Sequence, residues 1–136
     1  MSLFASPRFL RNVLLLDATT GLGSSALQLG ATAWLATWTG LPSRLLLESG
    51  VFLLLYGLAL VWLARRDPIP AAGVWLLVIG NTAWAVACIA LMIGPWLAPT
   101  PWGLAYLALH AMSVLVMAQL QWIGLRQLRS SSLATA

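Results

Sequence analysis

Charge is what this sequence has least of. Only 7% of its 136 residues are charged and 61% are hydrophobic, against roughly 25% charged in soluble domains. A soluble core of this size cannot hide so much apolar surface, so the composition predicts a single domain, 1–136, made of membrane-spanning segments and their connectors. Lysine is missing and the basic residues are seven arginines. Cysteine occurs once, at Cys88, which excludes an intramolecular disulfide and any metal cluster built from thiolates. Histidine also occurs once, at His110, so a haem ligated by two histidines of one chain is excluded, and metal-ligand clustering is not expected. No Gly-rich phosphate loop, no nucleophile elbow and no Ser or Cys with a His and an acid close in sequence can be found. The expectation therefore leans away from an enzyme, and no cofactor is assigned.

What the sequence does have is four continuous apolar stretches, at 12–37, 45–64, 71–93 and 102–125, each bounded by Pro, Gly or Arg. Each is close to the roughly 20 residues that carry a helix across the hydrocarbon. Membrane strands would alternate in polarity, and these stretches do not. Helices satisfy their own backbone in lipid, so the expected fold is an all-α membrane protein, a four-helix antiparallel bundle. The first stretch has some features of a signal peptide, with Arg8 and Arg11 ahead of it and Ala31-Thr32-Ala33 resembling a cleavage site. Asp17 interrupts the run and its length exceeds a signal core, so it is expected to remain as the first helix. The stretch from Ser130 onward reads as a frayed tail.

Arginine positions predict orientation. Arg8 and Arg11 precede the first stretch, Arg65 and Arg66 follow the second, Arg126 and Arg129 follow the fourth, and only Arg44 falls on the other side. The positive-inside rule then puts both termini and the 65–70 connector in the cytoplasm. The net charge of +4 reads as topology and contact with anionic lipid rather than nucleic-acid binding. Tryptophan prefers the interface, and Trp34, Trp38, Trp96 and Trp102 cluster at the outer connectors while Trp62, Trp75 and Trp122 mark the inner boundary. Trp84 alone lies well inside a span and is expected to face another helix, near Asn81 or a polar group of the first helix. Residues 61–66 and 121–126 repeat a Trp and Arg pattern, as two helices entering the same interface require.

Polar residues in hydrocarbon are costly and direct attention to themselves. Asp17, Thr20, Gly21, Ser24, Gln28 and Thr32 recur at helical spacing on the first stretch, and Tyr106, His110, Ser113, Met117 and Gln121 do so on the fourth. Glu48, Phe52 and Tyr56 on the second stretch, and Asn81, Ala85, Cys88 and Met92 on the third, complete four interior faces. The expected polar seam is Asp17, Gln28, Asn81, His110 and Gln121. Asp17 falls about 9 Å beyond Arg11 by helical rise, at the depth of Gln121, while Gln28 falls nearer Asn81. Two roles fit such a seam. Ser, Thr, Asn and Gln are ordinary adhesive between membrane helices, and a buried carboxylate is also a proton- or cation-binding group. Glu48, four residues after Arg44, has the spacing of a helical ion pair.

Leu16-Asp17, Asn81-Thr82-Ala83-Trp84, the 96–100 connector and Gln121-Trp122-Ile123-Gly124-Leu125-Arg126 together resemble an uncharacterised group of small bacterial four-helix integral membrane proteins. The resemblance implies a compact protein of the bacterial inner membrane and carries no activity with it. Two functions remain in view. One is a non-enzymatic membrane module, self-associating or an accessory subunit of a larger complex, with the bilayer and other membrane proteins as partners. The other is a small transporter or channel component lined by the seam, and a haem- or quinone-linked protein ranks third.

Overall fold

The computed structural model describes residues 7–134, with side chains over 8–127. Among the described residues all regular structure is helical: α1 (Pro7–Gly30), α2 (Thr32–Thr39), α3 (Ser43–Ala64), α4 (Ala71–Ile93) and α5 (Pro101–Ala134). Three of these, Ser43–Ala64, Ala71–Ile93 and α5 as far as Gln127, are long and apolar enough to cross a membrane. The stretch expected as one first helix is two. Its backbone bends at Ala31, where φ is −127° and ψ is 31°. No proline causes this. Gly30 offers little resistance to bending, and the Thr32 hydroxyl donates to the Gln28 carbonyl at 2.5 Å across the bend. The tail expected from Ser130 is helical as far as Ala134.

Helix ends follow their local chemistry. Pro70 stands at the N-cap of α4. Thr100 caps α5, its hydroxyl oxygen accepting the Gly103 N–H at 3.1 Å, and Pro101 takes the first helical position. α2 closes on Gly40, whose φ of +68° is the left-handed conformation that glycine adopts without strain. The 39–42 and 94–100 turns are stitched together there. Thr100 N–H donates to the Thr39 carbonyl at 2.9 Å, and the Thr100 hydroxyl donates to the Trp38 carbonyl at 2.6 Å.

The long helices lie side by side. α1 packs closely along α3, α4 along α5, and α1 also meets α5. Small residues allow the first of these approaches. A Cβ on Gly57 would sit 2.6 Å from Leu22 Cγ and one on Gly50 would sit 2.9 Å from Leu29, while the Ser25 hydroxyl donates to the Gly50 carbonyl at 2.7 Å. One apolar cluster near the arginine-rich end joins Leu10 and Leu14 of α1, Leu60 and Leu63 of α3, Val74 and Leu77 of α4 and Leu125 of α5. A second, toward the tryptophan-rich end, joins Leu35, Leu41, Leu46, Ala85, Cys88, Leu107 and Ala111. The outward faces are apolar too, with Leu76, Ile79, Val86 and Ile93 of α4 all exposed. In water such a surface would drive aggregation, whereas lipid solvates it at no cost.

The aromatic ends have distinct geometry. Trp34, Trp38 and Trp102 form an exposed chain of rings with centroids 5.3 Å and 5.7 Å apart. At the other end Arg66 lies over the Trp62 ring at 4.1 Å and Arg126 over the Trp122 ring at 4.8 Å. The repeated sequence pattern is thus a repeated cation–π pair at i,i+4, one on α3 and one on α5. Arg44 Nε donates to Glu48 at 2.6 Å as the spacing predicts, but both are exposed and solvent screening leaves the pair little weight.

Candidate functional site: a polar seam in an apolar cleft

Four helices each send one polar side chain to the same point. Asp17 of α1 is 3% exposed, and its Oδ2 accepts hydrogen bonds from Gln121 Nε2 at 2.6 Å, Asn81 Nδ2 at 3.0 Å and the Tyr56 hydroxyl at 3.2 Å. Asn81 also donates to Gln121 Oε1 at 3.3 Å. One carboxylate oxygen thereby ties α1 to α3, α4 and α5. A charge-assisted bond is stronger than a neutral one, and these lie between apolar walls where unmade bonds are costly.

A second polar level lies eleven residues further along α1, roughly 16 Å by helical rise. Gln28 donates through Nε2 to the Tyr106 hydroxyl at 2.7 Å and accepts from the Ser49 hydroxyl at 2.6 Å. Its side-chain amide has a partner on both ends, on α3 and on α5. His110, one turn along α5 from Tyr106, turns its Nδ1 to the Tyr106 carbonyl at 3.1 Å and packs its ring 4.4 Å from the Tyr106 ring.

Between these levels runs a cleft of about 600 Å³. Asp17, Tyr56 and Asn81 line it toward the arginine-rich end, Trp84 and His110 toward the other, and apolar side chains form most of the wall. A smaller cavity of about 130 Å³ continues past Trp84 and His110 to Gln28 and Tyr106. Trp84 stacks flat on Phe52 of α3, with centroids 5.2 Å apart and planes within 6°. It therefore faces another helix, but its N–H has no partner among the described residues.

Of the expected seam, the structure brings Asp17, Asn81 and Gln121 into direct contact. Gln28 is not near Asn81 but belongs to the other level, and His110 stands apart from Asp17 along the cleft. Asn81 shares the Asp17 level because each lies ten residues into its helix, α1 starting at Pro7 and α4 at Ala71. Depth counted from Arg11 placed Asp17 too shallow. Tyr56, Ser49 and Tyr106 complete the hydrogen bonding but were not among the seam residues named above; Tyr56 and Tyr106 stood in the interior stripes, while nothing in the sequence marks Ser49. Thr20 and Ser113, expected inside, are exposed, and the Thr20 hydroxyl bonds to carbonyls of its own helix. Among the described residues no three His, Cys, Asp or Glu side chains gather as a metal site.

Long apolar helices with lipid-facing surfaces around a buried polar seam define a helical membrane protein. Comparison with models of known protein families, with curated proteins and with solved structures gives no match.

Proposed function

We propose that the chain is a four-span protein of the bacterial cytoplasmic membrane, with α1 and α2 together forming the first span and both ends cytoplasmic. It acts as a non-enzymatic membrane module, self-associating or serving as an accessory subunit of a larger complex. The observation that carries this reading is the use made of Asp17. Its Oδ2 is occupied by donors from three other helices, as a cohesive group requires. The orientation rests on the arginines, and the Trp62–Arg66 and Trp122–Arg126 pairs support it because both suit one headgroup region.

Single cysteines introduced at Ser43 and Ala98 in a Cys88→Ala background are expected to react with impermeant maleimide from the periplasm. A cysteine at Asp67 is expected to react only after the cytoplasmic side is opened. The reverse pattern would overturn the orientation. Extraction in mild detergent followed by native mass measurement tests the function: a discrete homo-oligomer or co-purifying membrane subunit is expected, with a featureless visible spectrum. A monomer without partners would sink the module reading, and a haem band would redirect it to redox chemistry.

The cleft favours a second reading, a small transporter or channel component, since it brings the Asp17 carboxylate and the His110 ring to one cavity wall. Cation or proton flux in proteoliposomes distinguishes it from the module.

A further inference from the structure

Two buried polar atoms beside the seam are not spent on the protein itself. Trp84 Nε1 and His110 Nε2 are both buried, and neither has a hydrogen-bond partner among the described residues. They come from adjacent helices, α4 and α5, and both line the large cleft and the small cavity, so they stand where the two spaces meet. Their hydrogen-bonding roles are complementary. A carbonyl only accepts, so the contact of His110 Nδ1 with the Tyr106 carbonyl places the proton on Nδ1, and in the neutral ring Nε2 is then an acceptor. Indole Nε1 only donates. These two atoms thus pair a buried donor with a buried acceptor amid mostly apolar surface, and leaving such bonds unmade is costly.

We propose that this cleft is a binding site for a lipophilic molecule bearing a hydroxyl group, an apolar alcohol or phenol. The hydroxyl donates its hydrogen to His110 Nε2 and accepts the Trp84 indole hydrogen, while the apolar body lies along the Phe52 and Leu53 side of the cleft. A volume of about 600 Å³ falls within the roughly 300–1,000 Å³ of small-molecule sites, which are likewise mostly apolar with a few fixed polar groups. An anion is disfavoured by Asp17 on the same wall. The three donors to Asp17 all meet Oδ2, and the cationic probe below tests whether the carboxylate takes a cation instead. Entry is sideways from the bilayer. Of the neighbouring long helices, α3 and α4 pack together least along their length, and the cleft residues Phe52 and Leu76 are exposed between them. The proposal rests on the membrane reading above but not on oligomeric state or on flux.

Equilibrium dialysis of the full chain in detergent, with protein-free micelles as reference, tests it using three probes of similar bulk. These are 2-naphthol, 2-methoxynaphthalene, which cannot donate, and 2-(aminomethyl)naphthalene, which is cationic. One saturable site for 2-naphthol is expected, about tenfold or more tighter than for the methoxy probe, since the latter leaves His110 Nε2 buried and unmet. His110→Phe is expected to reduce that preference while the methoxy probe binds as before, whereas Trp84→Phe is expected to weaken both probes, since either oxygen can accept the indole hydrogen. The wild-type comparison stands even if a variant fails to fold. Absence of saturable binding, equal affinity for naphthol and methoxynaphthalene, tighter binding of the cationic probe, an undiminished preference in folded His110→Phe, or unchanged affinities in folded Trp84→Phe would overturn the proposal. A monomeric mass with selective naphthol binding would sink the module reading and leave this one standing.

Discussion

Asp17→Leu is expected to lower the stability of the protein in detergent by about 2–4 kcal/mol. The leucine accepts nothing, so Tyr56, Asn81 and Gln121 lose their common acceptor inside an apolar wall. Bonds between membrane helices contribute only about 0.6–1.7 kcal/mol each, but three donors are affected and buried orphans cost about 1–3 kcal/mol apiece. Asp17→Asn keeps an oxygen where Oδ2 stands and is expected to cost less than about 1 kcal/mol. Thermal unfolding in mild detergent, followed by near-UV circular dichroism, reads both. Equal melting of the leucine variant and wild type would show that the carboxylate does not hold the helices together. The asparagine variant also separates the two functional readings: if the seam moves protons or cations, Asp17→Asn abolishes flux in proteoliposomes while the fold persists.

Gly103→Ala is expected to be comparably disruptive, by about 3 kcal/mol, although it adds one methyl group. The added Cβ would lie 2.0 Å from the Thr39 carbonyl oxygen, and this backbone atom already receives the Thr100 N–H. No side chain can rotate away to relieve that overlap. The turns before α3 and α5 must separate, which breaks the Thr100 bonds to Thr39 and Trp38 and disturbs the cap of α5. Gly57→Ala is the useful contrast, because its Cβ meets the flexible end of Leu22 and a rotamer change makes room. Melting temperatures of the two variants should therefore differ widely. Similar values would mean that these two turns are free to part.

Several features were legible because single residues determine them. The 71–93 helix lies between Pro70 and Gly94, and α3 begins within two residues of its expected start. The Arg44–Glu48 pair and the proline start of α5 follow from local spacing alone. The bend at Ala31 was not legible, because it arises from a glycine and a threonine hydroxyl rather than from a proline. Asp17 and Gln121 were placed together correctly by counting from the arginines. Gln28 and Asn81 were misplaced by the same method, because Arg11 lies inside α1 and is a poor origin for depth. Ser49 carried no signal, since one serine among leucines looks the same whether it meets a glutamine or its own backbone.

The reach of the Asp17 cluster through the chain bears on how the protein is made. Asp17 and Gln121 are separated by 104 positions, with Tyr56 and Asn81 between them. A ribosome delivers these partners one at a time, the acid first and its shortest bond last. Through most of synthesis the first helix therefore carries an acid whose partners do not yet exist, and the early helix pair of α1 and α3 offers it only the Tyr56 hydroxyl. Consolidation of the packed interior therefore waits for the final helix, and until then the carboxylate is only partly satisfied.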